Sequence, residues 1–147
     1  MLNWRFVLKT KDWNSIILIR ILVGCVFLSE GIQKFLFAES VGAGRFEKIG
    51  LPAPEITASF VGSVEIVCGI LVLLGLFTRI AVVPLICIML TAIATTKIPI
   101  LLESGFWKMA HDSRTDFSML LSSIFLLVNG AGPLSLDRII LNRKNLK

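Results

Sequence analysis

The sequence contains no Cys-x-x-Cys pair, no His-Glu-x-x-His, no Gly-x-Ser-x-Gly and no phosphate-loop pattern, and its single histidine is His111. These absences remove the signatures of thiol–disulfide exchange, zinc proteolysis, nucleophile-elbow hydrolysis and nucleotide-triphosphate binding. Gly42-Ala43-Gly44 follows no strand-like segment, so it is not a dinucleotide loop. The three cysteines, Cys25, Cys68 and Cys87, lie in different apolar blocks and read as small buried hydrophobes. No low-complexity tract or internal repeat interrupts the chain, and no basic run with interleaved aromatics suggests a nucleic-acid groove.

What is abundant is apolar surface. Hydrophobic residues make up 55% of the 147 positions, and the mean hydropathy is +0.84. A soluble domain of this size has too small an interior to hide that much. Lipid is therefore the expected solvent. Long apolar blocks that must satisfy their own backbone groups in lipid predict helices. The expected fold is an all-α, single-domain integral membrane bundle of four transmembrane helices, near residues 14–37, 56–76, 80–100 and 116–132.

Breakers set the connections. Gly42, Gly44, Gly50, Pro52 and Pro54 mark a first loop, in which Phe46 and Ile49 among Arg45, Glu47 and Lys48 suggest a short amphipathic helix. Thr78 and Arg79 form a tight second turn, and Pro84 kinks the third helix or marks its first turns. Residues 101–115 read as a loop carrying the interfacial residue Trp107. After Gly130 and Pro133, Ser135 is placed to cap an interfacial helix over 135–144, with Asp137 in its first turn.

The net charge of +5 reads as topology. Eight Lys and Arg (Arg5, Lys9, Lys11, Arg79, Arg138, Arg143, Lys144, Lys147) fall on the side shared by both termini. Arg45, Lys48, Lys108 and Arg114 fall on the other, with Lys34 and Lys97 near helix ends. The excess predicts cytoplasmic termini in a bacterial inner membrane. Leu22-Val23-Gly24-Cys25 matches a lipobox by pattern, but Arg20 breaks the apolar run that a cleaved signal needs.

Ionisable residues inside apolar blocks normally turn inward and find partners. In the first helix Arg20, Gly24, Phe27, Gly31 and Lys34 share a stripe, with Glu30 beside it. In the second, Gly62, Glu65 and Gly69 share a face. Small residues on both faces let the two helices approach closely. From the helical rise, Arg20 and Glu65 should differ in depth by about 7 Å, so they are expected to pair or share a cavity. Ser118, Ser122, Phe125 and Asn129 form the expected packing stripe of the fourth helix, with Asn129 a partner for Arg20. Thr91, Thr95 and Thr96 are expected to bond their own helix, and Lys97 to snorkel outward. His111, Asp112 and Asp116 read as a solvated loop rather than a metal site, with Asp116 complementing a helix dipole. The resulting candidate polar site comprises Arg20, Glu30, Lys34, Glu65 and Asn129; charges so placed either fix helix register or build a ligand site.

Several segments in order resemble the DoxX family of small four-helix bacterial membrane proteins. They are Arg20-Ile21-Leu22-Val23-Gly24, Glu30-Gly31-Ile32-Gln33-Lys34, Ile49-Gly50-Leu51-Pro52-Ala53-Pro54, and Gly62 to Glu65 with Gly69. Gly75-Leu76-Phe77-Thr78-Arg79, Arg114-Thr115-Asp116-Phe117 and the run from Gly130 to Asp137 complete the set. The resemblance implies a membrane partner of redox enzymes, and supplies no catalytic motif to carry over. The expected function is a redox-associated subunit whose polar interior receives a quinone head group, with no tightly bound redox centre and with an oxidoreductase as partner. In that picture Arg20, Lys34 or Asn129 donates to quinone carbonyls and Glu65 or Glu30 handles protons. A non-catalytic assembly factor and a small transporter, whose pathway through so narrow a bundle would require dimers, are the alternatives.

Overall fold

A computed structural model of the chain describes residues 9–145. Those residues are helical and, among them, no strand occurs. Helix α1 spans Ile16–Leu36, α2 Ala43–Lys48, α3 Pro54–Leu74 and α4 Thr78–Ala92. A π-helical turn, Ile93–Lys97, carries α4 directly into α5, Ile98–Ser104. Then come α6 (Phe106–Asp112), α7 (Arg114–Asn129) and α8 (Leu136–Asn145). Three helical stretches are long and apolar enough to cross a membrane: Ile16–Leu36, Pro54–Leu74 and the continuous Thr78–Ser104. Helix α7 has 16 residues, fewer than the roughly 20 that a span requires.

Helix α1 lies antiparallel to α3, and glycines set the separation. A Cβ on Gly24 would stand 3.0 Å from the Gly69 carbonyl oxygen, and one on Gly31 only 2.7 Å from that of Gly62. Four glycines thus let the two backbones approach within contact distance, the close approach expected of small residues in lipid. Helix α4 packs chiefly on α7, and the two pairs enclose Val23, Phe27, Val72, Val82, Leu85 and Leu126, all buried. The buried face of α7 is Met119, Leu120, Ser123 and Leu126. The stripe expected from sequence, Ser118, Ser122, Phe125 and Asn129, is one position off: Ser118 is exposed and the others are half-buried. Apolar bulk, not hydroxyl spacing, chose the inner face.

Outside the bundle, Leu18, Ile56, Phe60, Leu102 and Val128 are each more than 60% exposed. Large apolar side chains left bare along the long helices are what lipid accommodates and water does not. The segment 101–115, expected as a loop, is instead mostly helical, broken at Gly105 and again at Ser113. The apolar run Ile98–Leu102 prolongs the third helix, and Trp107, 84% exposed, sits on the second arm. The short amphipathic piece of the first loop forms as α2, with Phe46 buried inward and Arg45, Glu47 and Lys48 exposed.

Candidate functional site

The ionisable groups separate into two centres at opposite ends of the bundle. The first surrounds Arg20, which is 4% exposed. Its guanidinium donates from Nε to the Val72 carbonyl (3.0 Å) and from Nη2 to that of Leu73 (2.6 Å). Its Nη1 donates to the carbonyls of Ala131 (3.0 Å) and Leu134 (2.5 Å). The last carbonyls of a helix lack partners within it, and a cation favours the negative end of the helix dipole. One planar fork therefore closes the C-terminus of α3 and ties it to the segment after α7.

Asp137 completes this end. Its carboxylate accepts from the N–H of Phe77 (2.7 Å) and of Thr78 (3.1 Å), and its own N–H donates to the Gly75 carbonyl (2.9 Å). Helix α4 thus receives its N-terminal cap from a residue some sixty positions later. Phe77 has φ +49°, a left-handed conformation that a bulky residue adopts only when surroundings enforce it. Burial pushes the Asp137 carboxyl above its ordinary range, against the pull of those N–H groups and of Arg20. Ser135 caps α8 as expected, its Oγ accepting from the Arg138 N–H (3.3 Å).

The second centre is a cavity of about 430 Å³ at the other end, between the α1–α3 and α4–α7 pairs. Helix α2 covers it, contributing Phe46 and Arg45. Glu65, 2% exposed, accepts a 2.5 Å ion pair from Lys34, whose Nζ also approaches the Glu30 carbonyl oxygen at 3.5 Å. Glu30 lines the cavity beside them. From the other helix pair, Lys97 pairs with Asp116 at 3.1 Å. Thr91, Thr95 and Thr96 also face the cavity, with hydroxyls donating to the carbonyls of Cys87, Thr91 and Ala92 (2.9, 2.8 and 2.6 Å). The π turn lies against this cavity; such turns recur at functional sites because they re-aim side chains.

The structure therefore brings together three of the five residues expected to share a site: Glu30, Lys34 and Glu65. Arg20 does not pair with Glu65. The antiparallel register places Arg20 level with Leu73, just as Gly24 meets Gly69 and Gly31 meets Gly62. Glu65 is then eight positions, about 12 Å, further along α3. Asn129 is not a partner of Arg20 either. Its side chain donates to the Phe125 carbonyl (2.9 Å), and its carbonyl accepts from the Lys11 N–H (3.0 Å). Lys97 does not snorkel away but turns to Asp116, which the sequence placed at a helix dipole. His111 lies against Arg114 (3.1 Å) and Asp112 pairs with Lys108 (3.1 Å). Cys68 alone of the three cysteines is buried; Cys25 and Cys87 are exposed, Cys87 beside the cavity.

A lipid-solvated helical bundle enclosing paired charges defines the class: a polytopic membrane protein with a polar interior site. The DoxX family model matches residues 15–98, and the chain belongs to the DoxX family. It is 54% identical over 142 residues to "Uncharacterized membrane protein Rv3486" of Mycobacterium tuberculosis, covering 92% of this chain and 87% of that one. It is 32% identical over 128 residues to "Putative oxidoreductase CatD" of Bacillus subtilis, covering 87% of this chain and 88% of the relative. No solved structure matches.

Proposed function

We propose that this protein is a redox-associated subunit of the bacterial inner membrane whose cavity receives a quinone head group. The observation that carries the reading is the buried Lys34–Glu65 pair opening on an apolar-walled cavity of about 430 Å³. A lysine ammonium has three N–H donors, so Lys34 can keep its carboxylate and still donate to a carbonyl oxygen. Glu65 and Glu30 stand within the same cavity as proton acceptors or donors. Reduction of a quinone to its hydroquinone takes up two electrons and two protons; here a partner oxidoreductase supplies the electrons. The name of the Bacillus subtilis relative supports a redox association.

In this reading α7, together with the buried, non-helical Gly130 and Ala131 that follow it, makes a fourth crossing, and both termini lie in the cytoplasm by the excess of Lys and Arg there. Arg20 then belongs to the cytoplasmic end as a structural clamp, and Lys34, Lys97 and the cavity belong to the outer half.

The test is titration of duroquinone into the purified protein in nanodiscs, with empty nanodiscs as the blank. Saturable binding that weakens about tenfold in Lys34→Met is expected, the size of a lost charge-assisted hydrogen bond. The same non-saturable uptake by wild type, variant and blank discards the proposal.

A further inference from the structure

We infer that the cavity is a two-pole site, in which Lys34 and Lys97 each donate to one of two acceptor oxygens on opposite edges of a flat apolar ligand. This deepens the quinone reading and rests on it. Two ammonium groups line one cavity, and each comes from a different half of the bundle. The Lys34–Glu65 pair joins α1 to α3, while Lys97 belongs to the π turn after α4 and pairs with Asp116 of α7. Both lysines are nearly buried, with side chains 9% and 12% exposed. Each already spends donor capacity on a carboxylate and retains N–H groups for a second acceptor.

The other donors of the wall are either bonded to backbone or exposed: Thr57 donates to the Pro52 carbonyl, and Thr115 is exposed. The threonine hydroxyls of the π region have committed their protons to backbone carbonyls. Arg45 is exposed on the covering helix. Phe27, Val61, Ile88 and Met119 supply apolar surface to the same cavity wall. A buried ammonium discriminates strongly against a ligand that leaves its free N–H unanswered. Such a site selects a ring with two carbonyls over the same ring with one. It also makes Lys97 and Asp116 specificity residues, the latter holding the former in place. A ligand spanning the poles bridges the α1–α3 and α4–α7 halves.

The experiment pairs a ligand change with a protein change. Duroquinone carries two carbonyls; a tetramethylcyclohexenone keeps a ring of similar bulk with one. The unaltered protein should bind duroquinone at least about tenfold more tightly. In Lys97→Met, duroquinone should fall to the level of the monoketone, while monoketone affinity stays within about twofold. Asp116→Asn should weaken duroquinone in the same direction by loosening Lys97. The comparison of ligands on unaltered protein holds even if a variant does not fold. Equal binding of both ligands, or a Lys97→Met protein that still prefers duroquinone tenfold, overturns the two-pole site and leaves the quinone reading intact. Failure of the unaltered protein to bind either ligand removes both.

Discussion

Lys34 and Glu65 meet at 2.5 Å across the α1–α3 interface, straddling the level where Gly31 and Gly62 bring the two backbones together. Both side chains are nearly buried, so either charge alone is costly. Lys34→Met or Glu65→Ala should therefore each destabilise the protein by about 3–5 kcal/mol. The apolar double replacement Lys34→Met with Glu65→Leu should recover most of that. Denaturation midpoints in a fixed detergent measure it, and a double variant no better than the worse single one refutes the pairing.

Arg20 and Glu65 should behave independently. Arg20→Met removes the guanidinium from four carbonyls, and Arg20→Lys should restore little, because an ammonium cannot reproduce a fork aimed at two chain segments. A double-mutant cycle of Arg20→Lys with Glu65→Gln should give a coupling below about 0.5 kcal/mol. Coupling above about 1 kcal/mol places the two charges in one network and contradicts the two-centre layout.

Asp137→Ala should cost about 1–2 kcal/mol as a lost helix cap, read out at a distance from the mutation. The amides of Phe77 and Thr78 lose their acceptor, so their hydrogen exchange should speed up while amides in the middle of α3 hold. Unchanged exchange at those two amides rules out the cap.

Gly31→Ala should destabilise by about 1–3 kcal/mol, because the added methyl meets the Gly62 carbonyl at 2.7 Å and backbone cannot yield as a side chain tip can. A neutral result in the same melting assay means that the helices lie further apart than described.

The proposed fourth crossing makes a labelling prediction. Single cysteines at Arg79 and Arg143 should react with a membrane-impermeant maleimide only in inverted vesicles, and cysteines at Lys48 and Lys108 only in intact cells. Labelling of position 143 on the same side as position 48 leaves the bundle with three crossings.

Much of the bundle was legible because lipid imposes a strict grammar. Apolar length, glycine breakers and the small residues Gly24, Gly31, Gly62 and Gly69 announced α1, α3 and their close contact. The inward turn of Arg20, Lys34 and Glu65 was legible for the same reason. Who pairs with whom was not. Hydropathy marks the ends of a helix only to within several residues, and a shift of that size outweighs a difference of about 7 Å in depth between Arg20 and Glu65. The true acceptors of Arg20 are backbone carbonyls, which leave no mark on a sequence. The cap supplied by Asp137 spans sixty positions and is equally silent. Lys97 and Asp116 escaped because residues 101–115 were read as a loop that separated them; a cation and an anion closing the same ends of successive apolar blocks was the available sign.

The continuous helix Thr78–Ser104 contains 27 residues. At 1.5 Å each it is about 40 Å long, roughly a third more than the hydrocarbon layer it crosses. A rod too tall for its slab leans. Anchored beside Asp137 at one end, a leaning rod parts from its neighbours at the other, where the cavity lies. Spare length in one helix can thus be the origin of the hollow, and bilayer thickness becomes a variable that sets how wide it stands.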